Sequence, residues 1–156
     1  MAAGIISAYA GVLALAKFTD LATAAVKIAL LKDTYTPDVS ATGQSAWGTI
    51  FSHEIAAGNG YTAGGLALTG GAVNAAPAND GWMFTTNTAL WTSSGGGIPA
   101  WRYAVIYVDA VLWGVTKPLL GYFLGDATGI DVPLTAGGGQ IEIQCPPDGW
   151  IRQATG

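Results

Sequence analysis

The sequence predicts a mainly β protein, an antiparallel β-sandwich of jelly-roll-like type with one N-terminal helix. Short stretches rich in β-branched and aromatic residues recur along the chain, and turn-forming Gly, Pro, Asn and Asp residues separate them. The 156 residues show no fixed-period repeat and no long linker, and this length is typical of one domain. We therefore expect residues 1–156 to form a single β-sandwich domain.

The N-terminal segment carries the one helical pattern. Apolar residues recur there at the spacing of one helical face, at Ile5, Tyr9, Val12, Leu13 and Ala16. No Lys or Arg precedes this apolar run, as a secretory signal would require, and the run is too short to span a bilayer. Residues 1–20 are thus predicted to be a helical or arm-like part of the folded domain, with no membrane contact.

Eight strands are predicted between the turn signals, at 26–31, 66–68, 73–75, 81–85, 89–92, 101–108, 118–124 and 140–145. Aromatic and β-branched residues on both faces of 101–108 predict a central strand that is covered on both sides. Pro118 cannot donate a ladder hydrogen bond, so it should begin its strand or lie at an edge. Ile141, Ile143 and Cys145 alternate with polar residues, which predicts a half-buried strand.

Two segments between these strands have a less regular pattern. Residues 47–55 fit a short helix or a strand equally well. The glycine-rich segment 58–65 is predicted to be a turn-rich connection into the strand at 66–68. A dinucleotide-binding loop is not expected there, because no βαβ unit surrounds the segment.

The composition indicates that much of the surface faces protein. Apolar residues make up 51% of the chain and charged residues only 10%, against a usual charged fraction of about 25%. A monomer that exposes its whole surface to water needs more charge than that. The net charge is −4 and no stretch is densely basic, so we expect no nucleic-acid partner.

The residue types needed for catalysis or metal binding are sparse. His53 is the single histidine, and no serine lies in a nucleophile-elbow motif that could use it. Cys145 is the single cysteine, which rules out an internal disulfide and a thiolate zinc site. The best calcium candidates are Asp126 and Asp131, which flank a glycine-containing turn, and Asp80 in another turn, although such residues more often cap turns. We predict a non-enzyme with no catalytic residue, no cofactor and no metal.

Tryptophan supplies the candidate interface residues. Trp82 and Trp101 lie within strand patterns and are predicted to be in the core. Trp91, Trp113 and Trp150 lie near turns, where an amphipathic ring can reach the surface and anchor a protein interface or stack on a sugar. Together with Tyr61 of the glycine-rich segment, they are the predicted interface residues. The alternative is that all six tryptophans are structural.

Four stretches occur in an order that resembles a group of small virion proteins encoded among the head genes of tailed bacteriophages. They are VKIALLKDTYTPD at 26–38, GNGYTAGGLAL at 58–68, RYAVIY at 102–107 and PLLGYF at 118–123. The resemblance spans roughly residues 8–126, and the series is more specific than any one of its motifs.

The resemblance implies a capsid decoration or cement protein. Such a protein lies on the exterior of the virion capsid, bridges neighbouring subunits of the major capsid protein and carries no catalytic residues. Closed symmetry would make it a homodimer or homotrimer. The alternative is a tail- or fibre-associated module that binds a host surface glycan through exposed Trp and loop Asp or Asn residues.

Overall fold

A computed structural model describes residues 19–38, 40, 43–76 and 81–154. Within them the strands are β1 (Val26–Leu31), β2 (Leu66–Ala67), β3 (Ala72–Ala75), β4 (Gly81–Thr85), β5 (Ala89–Thr92), β6 (Tyr103–Val108), β7 (Val111–Leu112), β8 (Val115–Thr116), β9 (Leu119–Leu124), β10 (Gln140–Ile143) and β11 (Ile151–Ala154). Every paired strand is antiparallel, so the predicted mainly β, antiparallel class is confirmed. The helical pattern predicted from Ile5 to Ala16 lies outside the described residues, whereas residues 19–23 are helical.

The largest sheet has four strands in the order β2-β1-β6-β9. β6 lies between β1 and β9, with Val26 paired to Val108 and Leu31 paired to Tyr103 across the β1–β6 ladder. From Ala104 to Val108 every residue of β6 is buried. The prediction of a central strand covered on both faces is therefore confirmed, because β-branched and aromatic side chains on both sides of the strand find apolar partners.

Each face of this sheet contributes to a separate apolar cluster. One face packs on residues of β4, β5 and β10, through Ile28, Leu30, Ala104, Ile106, Phe84, Trp91 and Ile141. The other face packs under the segment that follows β1, where Trp47 stacks on Tyr107 with ring centroids 4.4 Å apart. The first cluster fits the predicted sandwich, while the jelly-roll order of strands stays a prediction.

The smaller sheets complete the β structure of the described residues. β10 pairs with β5, β11 and β3 flank β4, and β7 pairs with β8 in a hairpin. Along β10, Ile141 is buried between exposed Gln140 and Glu142, as the alternation predicted. The hairpin at 111–116 was not predicted from the sequence.

Two local predictions are resolved by backbone hydrogen bonds. The segment 47–55 forms two 3-10 turns, Trp47–Thr49 and Phe51–His53, and is neither a regular helix nor a strand. Pro118 lies one residue before β9 and forms an isolated bridge with Ala46, which agrees with its predicted place at a strand start.

Candidate interaction surfaces

Trp91 lies in the core and does not reach the surface. Side chains alternate along a strand, and in β5 the residues Ala89 and Trp91 point inward while Leu90 and Thr92 are exposed. Trp91 is only 1% exposed. The prediction that it is a surface interface residue is therefore wrong, because the β5–β10 pairing directs its face of the strand to the main core.

Trp150 is likewise buried, although it follows a turn. Its ring packs against Phe123 at a centroid distance of 5.3 Å. Its indole N–H donates to Oγ1 of Thr86 over 2.7 Å, and its backbone N–H donates to the Phe84 carbonyl. These contacts hold the ring under β9 and contradict the predicted surface position. Trp101, predicted to be in the core, is buried, and Trp82 is half-buried.

Tyr61 is the third interface candidate that the structure places in the interior. Its hydroxyl donates to Oε1 of Glu54 over 2.7 Å and accepts the backbone N–H of Leu30 over 3.0 Å. The same Glu54 oxygen accepts the N–H of Gly64 over 2.6 Å. Burial, and secondarily the hydrogen bond to Glu54, raises the pKa of Tyr61, so the phenol stays protonated. This network attaches the glycine-rich segment to β1.

Replacing Tyr61 with Phe is expected to lower the free energy of unfolding by about 2–3 kcal/mol. The change leaves the buried Leu30 N–H without its partner and removes one of the two hydrogen bonds to Glu54 Oε1, while the ring stays in place. Urea denaturation measures the loss. Tyr122→Phe is the matched control, because Tyr122 is exposed and its loss should stay within about 0.5 kcal/mol. Equal unfolding midpoints for the two variants would contradict a stabilising role for this network.

Trp113 is the one interface candidate that lies at the surface, where 41% of it is exposed. It occupies the tip of the β7–β8 hairpin together with Gly114, and both residues have positive φ, 53° and 81°. Two consecutive positive φ angles are typical of the two-residue hairpin turn that matches strand twist. A large side chain is uncommon in this left-handed conformation. Val111, the first residue of β7, is also exposed.

Polar contacts anchor the hairpin at its base and its tip. The carboxylate of Asp109 forms ion pairs with Lys27 and Lys117, each over 2.7 Å. Hydrogen bonds from Lys117 and then Lys27 hold the pKa of Asp109 below its usual value. At the tip, the indole N–H of Trp113 donates to Oδ2 of Asp20 over 2.9 Å. These contacts attach the base of the hairpin to β1 and its tip to Asp20.

A second apolar surface lies along β9, an outer strand of the four-stranded sheet. Tyr122 and Leu124 are exposed on it. A cleft of about 530 Å³ separates the end of β9 from β10, and a groove of about 170 Å³ runs between Tyr122 and a set of residues that includes Tyr35, Pro37 and Gln44. Sequence reasoning missed this surface, although the absence of charge from 118 to 124 is a signal for it.

Among the residues considered for chemistry, Asp80 lies outside the described residues, and the others have structural partners. Nδ1 of His53 lies 3.1 Å from Oγ1 of Thr34. Asp126 caps its own turn by accepting the N–H of Thr128, and Asp131 pairs with Nε of Arg102 over 2.8 Å. No three His, Cys, Asp or Glu side chains in the described residues group together as metal ligands.

Comparison with protein-family models, with curated proteins and with solved structures finds no match to this chain. None of the helical segments in the described part of the chain has the length and hydrophobicity needed to cross a bilayer.

Proposed function

We propose that this protein is a non-enzymatic structural component of a tailed-phage virion, a decoration or cement protein on the exterior of the capsid. Its partners are the major capsid protein and further copies of itself. The observation that carries the proposal is the preformed hairpin at 111–116, which presents Val111 and Trp113 to solvent. The order of sequence motifs described above gives the proposal its phage context.

The hairpin has the properties of a docking element. Tryptophan is enriched among the residues that dominate protein–protein binding energy. The ion pairs of Asp109 and the Trp113–Asp20 hydrogen bond order the hairpin in advance, which reduces the entropy lost on binding. Repetition of the capsid lattice would then add avidity if the protein binds as an oligomer.

The position of Trp113 favours a protein partner over the alternative of a host glycan. A glycan site requires an aromatic ring in a concave site with several converging polar groups. Trp113 instead lies at the tip of a two-residue turn, and a Cβ added to the adjacent Gly114 would meet no atom within 4 Å. A projecting apolar tip of this kind fits a cavity or a seam on a protein surface.

Replacing Trp113 with Ala is expected to weaken binding to capsids that lack the protein by about thirtyfold, the loss typical of a central interface tryptophan. Co-sedimentation with such capsids, over a range of protein concentrations, measures the affinity. Leu90→Ala is the matched control, because Leu90 has similar exposure on a different strand and should bind as the unmodified protein does.

Either of two results would contradict this proposal. Trp113→Ala could bind capsids as tightly as the Leu90→Ala control, which would remove the hairpin from the interface. Alternatively, the unmodified protein could ignore capsids and bind host surface glycans, which would favour the tail- or fibre-associated module.

A further inference from the structure

We propose that the outer edge of β9 pairs with the same edge of a second copy, joining two four-stranded sheets into one continuous sheet. This inference specifies how the protein contacts itself. It does not depend on the proposed capsid contact, since β9 and the β7–β8 hairpin are separate surfaces.

The backbone of β9 has groups on its outer edge that no described residue pairs with. Val108 donates its N–H to the Pro118 carbonyl, so its backbone groups point towards β9. Backbone groups alternate in direction along a strand, and the N–H and C=O groups of Ile106 and Ala104 therefore point towards β9 as well. Their register partners are Gly121 and Phe123, which consequently face β6. The N–H and C=O groups of the remaining two residues of this stretch, Tyr122 and Leu124, point to the free edge. No strand among the described residues pairs with that edge.

The residues of this edge do not oppose pairing with another strand. Natural sheets protect their edges with charged side chains, prolines or bulges that turn the strand away. From Leu119 to Leu124 the strand carries no charge and no proline, and its irregularity lies near the start, where the register with β6 shifts between Ile106 and Tyr107. An exposed apolar edge with unpaired backbone groups recognises another strand through main-chain hydrogen bonds.

The length of the free edge sets the register of the pairing. The start of the strand is already covered, because the backbone N–H of Trp47 donates to the Lys117 carbonyl and that of Leu119 donates to the Ser45 carbonyl. Within the described part of the chain, no residue forms a backbone hydrogen bond or bridge to the outer edge of residues 120–124. An antiparallel copy can use this whole length only if the twofold axis passes through Tyr122. That register places Tyr122 opposite its own equivalent and Leu124 opposite Leu120 of the second copy, and aromatic cross-strand pairs are favourable.

Charge at the ends of the strand favours the same antiparallel partner. Lys117, which also forms the ion pair with Asp109, precedes β9, and Asp126 follows it. Antiparallel pairing directs the lysine end of each copy towards the aspartate end of the other, whereas parallel pairing would bring like charges together. The open cleft beside Phe123 and the groove beside Tyr122 leave both faces of the edge accessible.

Site-specific cross-linking tests this register. In a Cys145→Ser background, Tyr122→Cys should cross-link to its equivalent under mild oxidation or with a short bifunctional maleimide. The reason is that directly opposed, hydrogen-bonded residues have Cα atoms about 5.5 Å apart, within disulfide reach. Leu90→Cys in the same background is the matched control and should remain monomeric on a denaturing gel. The proposal would be overturned if both variants cross-linked equally, or if Tyr122→Cys did not cross-link at all.

Sedimentation equilibrium of the otherwise unmodified protein gives an independent test. The unmodified chain should form a concentration-dependent dimer, and Leu124→Lys should raise the dimer dissociation constant by about tenfold or more, since an edge lysine opposes strand pairing. Leu90→Lys should leave the constant unchanged, because Leu124 and Leu90 are 49% and 47% exposed. A chain that is monomeric at every concentration, or a dimer that tolerates Leu124→Lys, would overturn it. Capsid binding by Leu124→Lys is measured separately, because it reports on the proposed capsid role and not on the pairing of β9.

Discussion

Trp91→Ala is expected to lower the free energy of unfolding by about 3–5 kcal/mol, the range for a large aromatic residue removed from a packed core. The ring of Trp91 is buried in the main cluster and lies 6.3 Å from the ring of Tyr61, to which it is nearly parallel. Its loss leaves a cavity that the surrounding strands cannot close, because β5 is held in register by β10. Urea denaturation followed by tryptophan fluorescence and circular dichroism measures the change.

Trp113→Ala is the matched variant for this measurement. The same substitution at the exposed hairpin tip removes one surface hydrogen bond, to Asp20, and should change the unfolding free energy by about 0.5 kcal/mol or less. Comparable losses for the two variants would contradict the assignment of one ring to the core and the other to the surface. The pair therefore separates the structural tryptophan from the proposed binding tryptophan.

Gly65→Ala is expected to abolish stable folding or to cost more than about 4 kcal/mol. Gly65 has a φ of 74°, and a Cβ at this position would overlap the carbonyl oxygen of Ile28. The glycine-rich segment approaches the central sheet here through backbone alone, so neither β1 nor the segment can move away cheaply. Soluble yield, circular dichroism and the denaturation midpoint report the effect.

Gly114→Ala distinguishes steric overlap from backbone strain in that experiment. Gly114 has a similar φ of 81°, but an added Cβ would meet no atom within 4 Å. The left-handed conformation alone should cost about 1–2 kcal/mol. If Gly65→Ala were no more destabilising than Gly114→Ala, the close approach of the segment to β1 would not be a determinant of the fold.

Local patterns in the sequence were sufficient to predict most of the strands. The residues 26–31, 81–85 and 89–92 form strands at the predicted bounds, and β6 is central because its side chains are apolar on both faces. The hairpin at 111–116 was missed because its turn carries Trp113 before Gly114, where Asn or Asp is the usual signal. The 3-10 turns at 47–53 were ambiguous because their apolar residues have no clear period.

The mainly β, antiparallel class, the central strand and the low charge could all be predicted from local patterns, because alternation, turn residues and composition are properties of the sequence itself. The exposure of the aromatic residues, in contrast, depends on long-range packing. Trp91, Trp113 and Trp150 all lie near turns, yet their exposure depends on which face of a strand meets the core and on what covers each turn. Likewise, β9 is the outer strand of its sheet because β6 is its one strand neighbour among the described residues, and no local pattern encodes that neighbour.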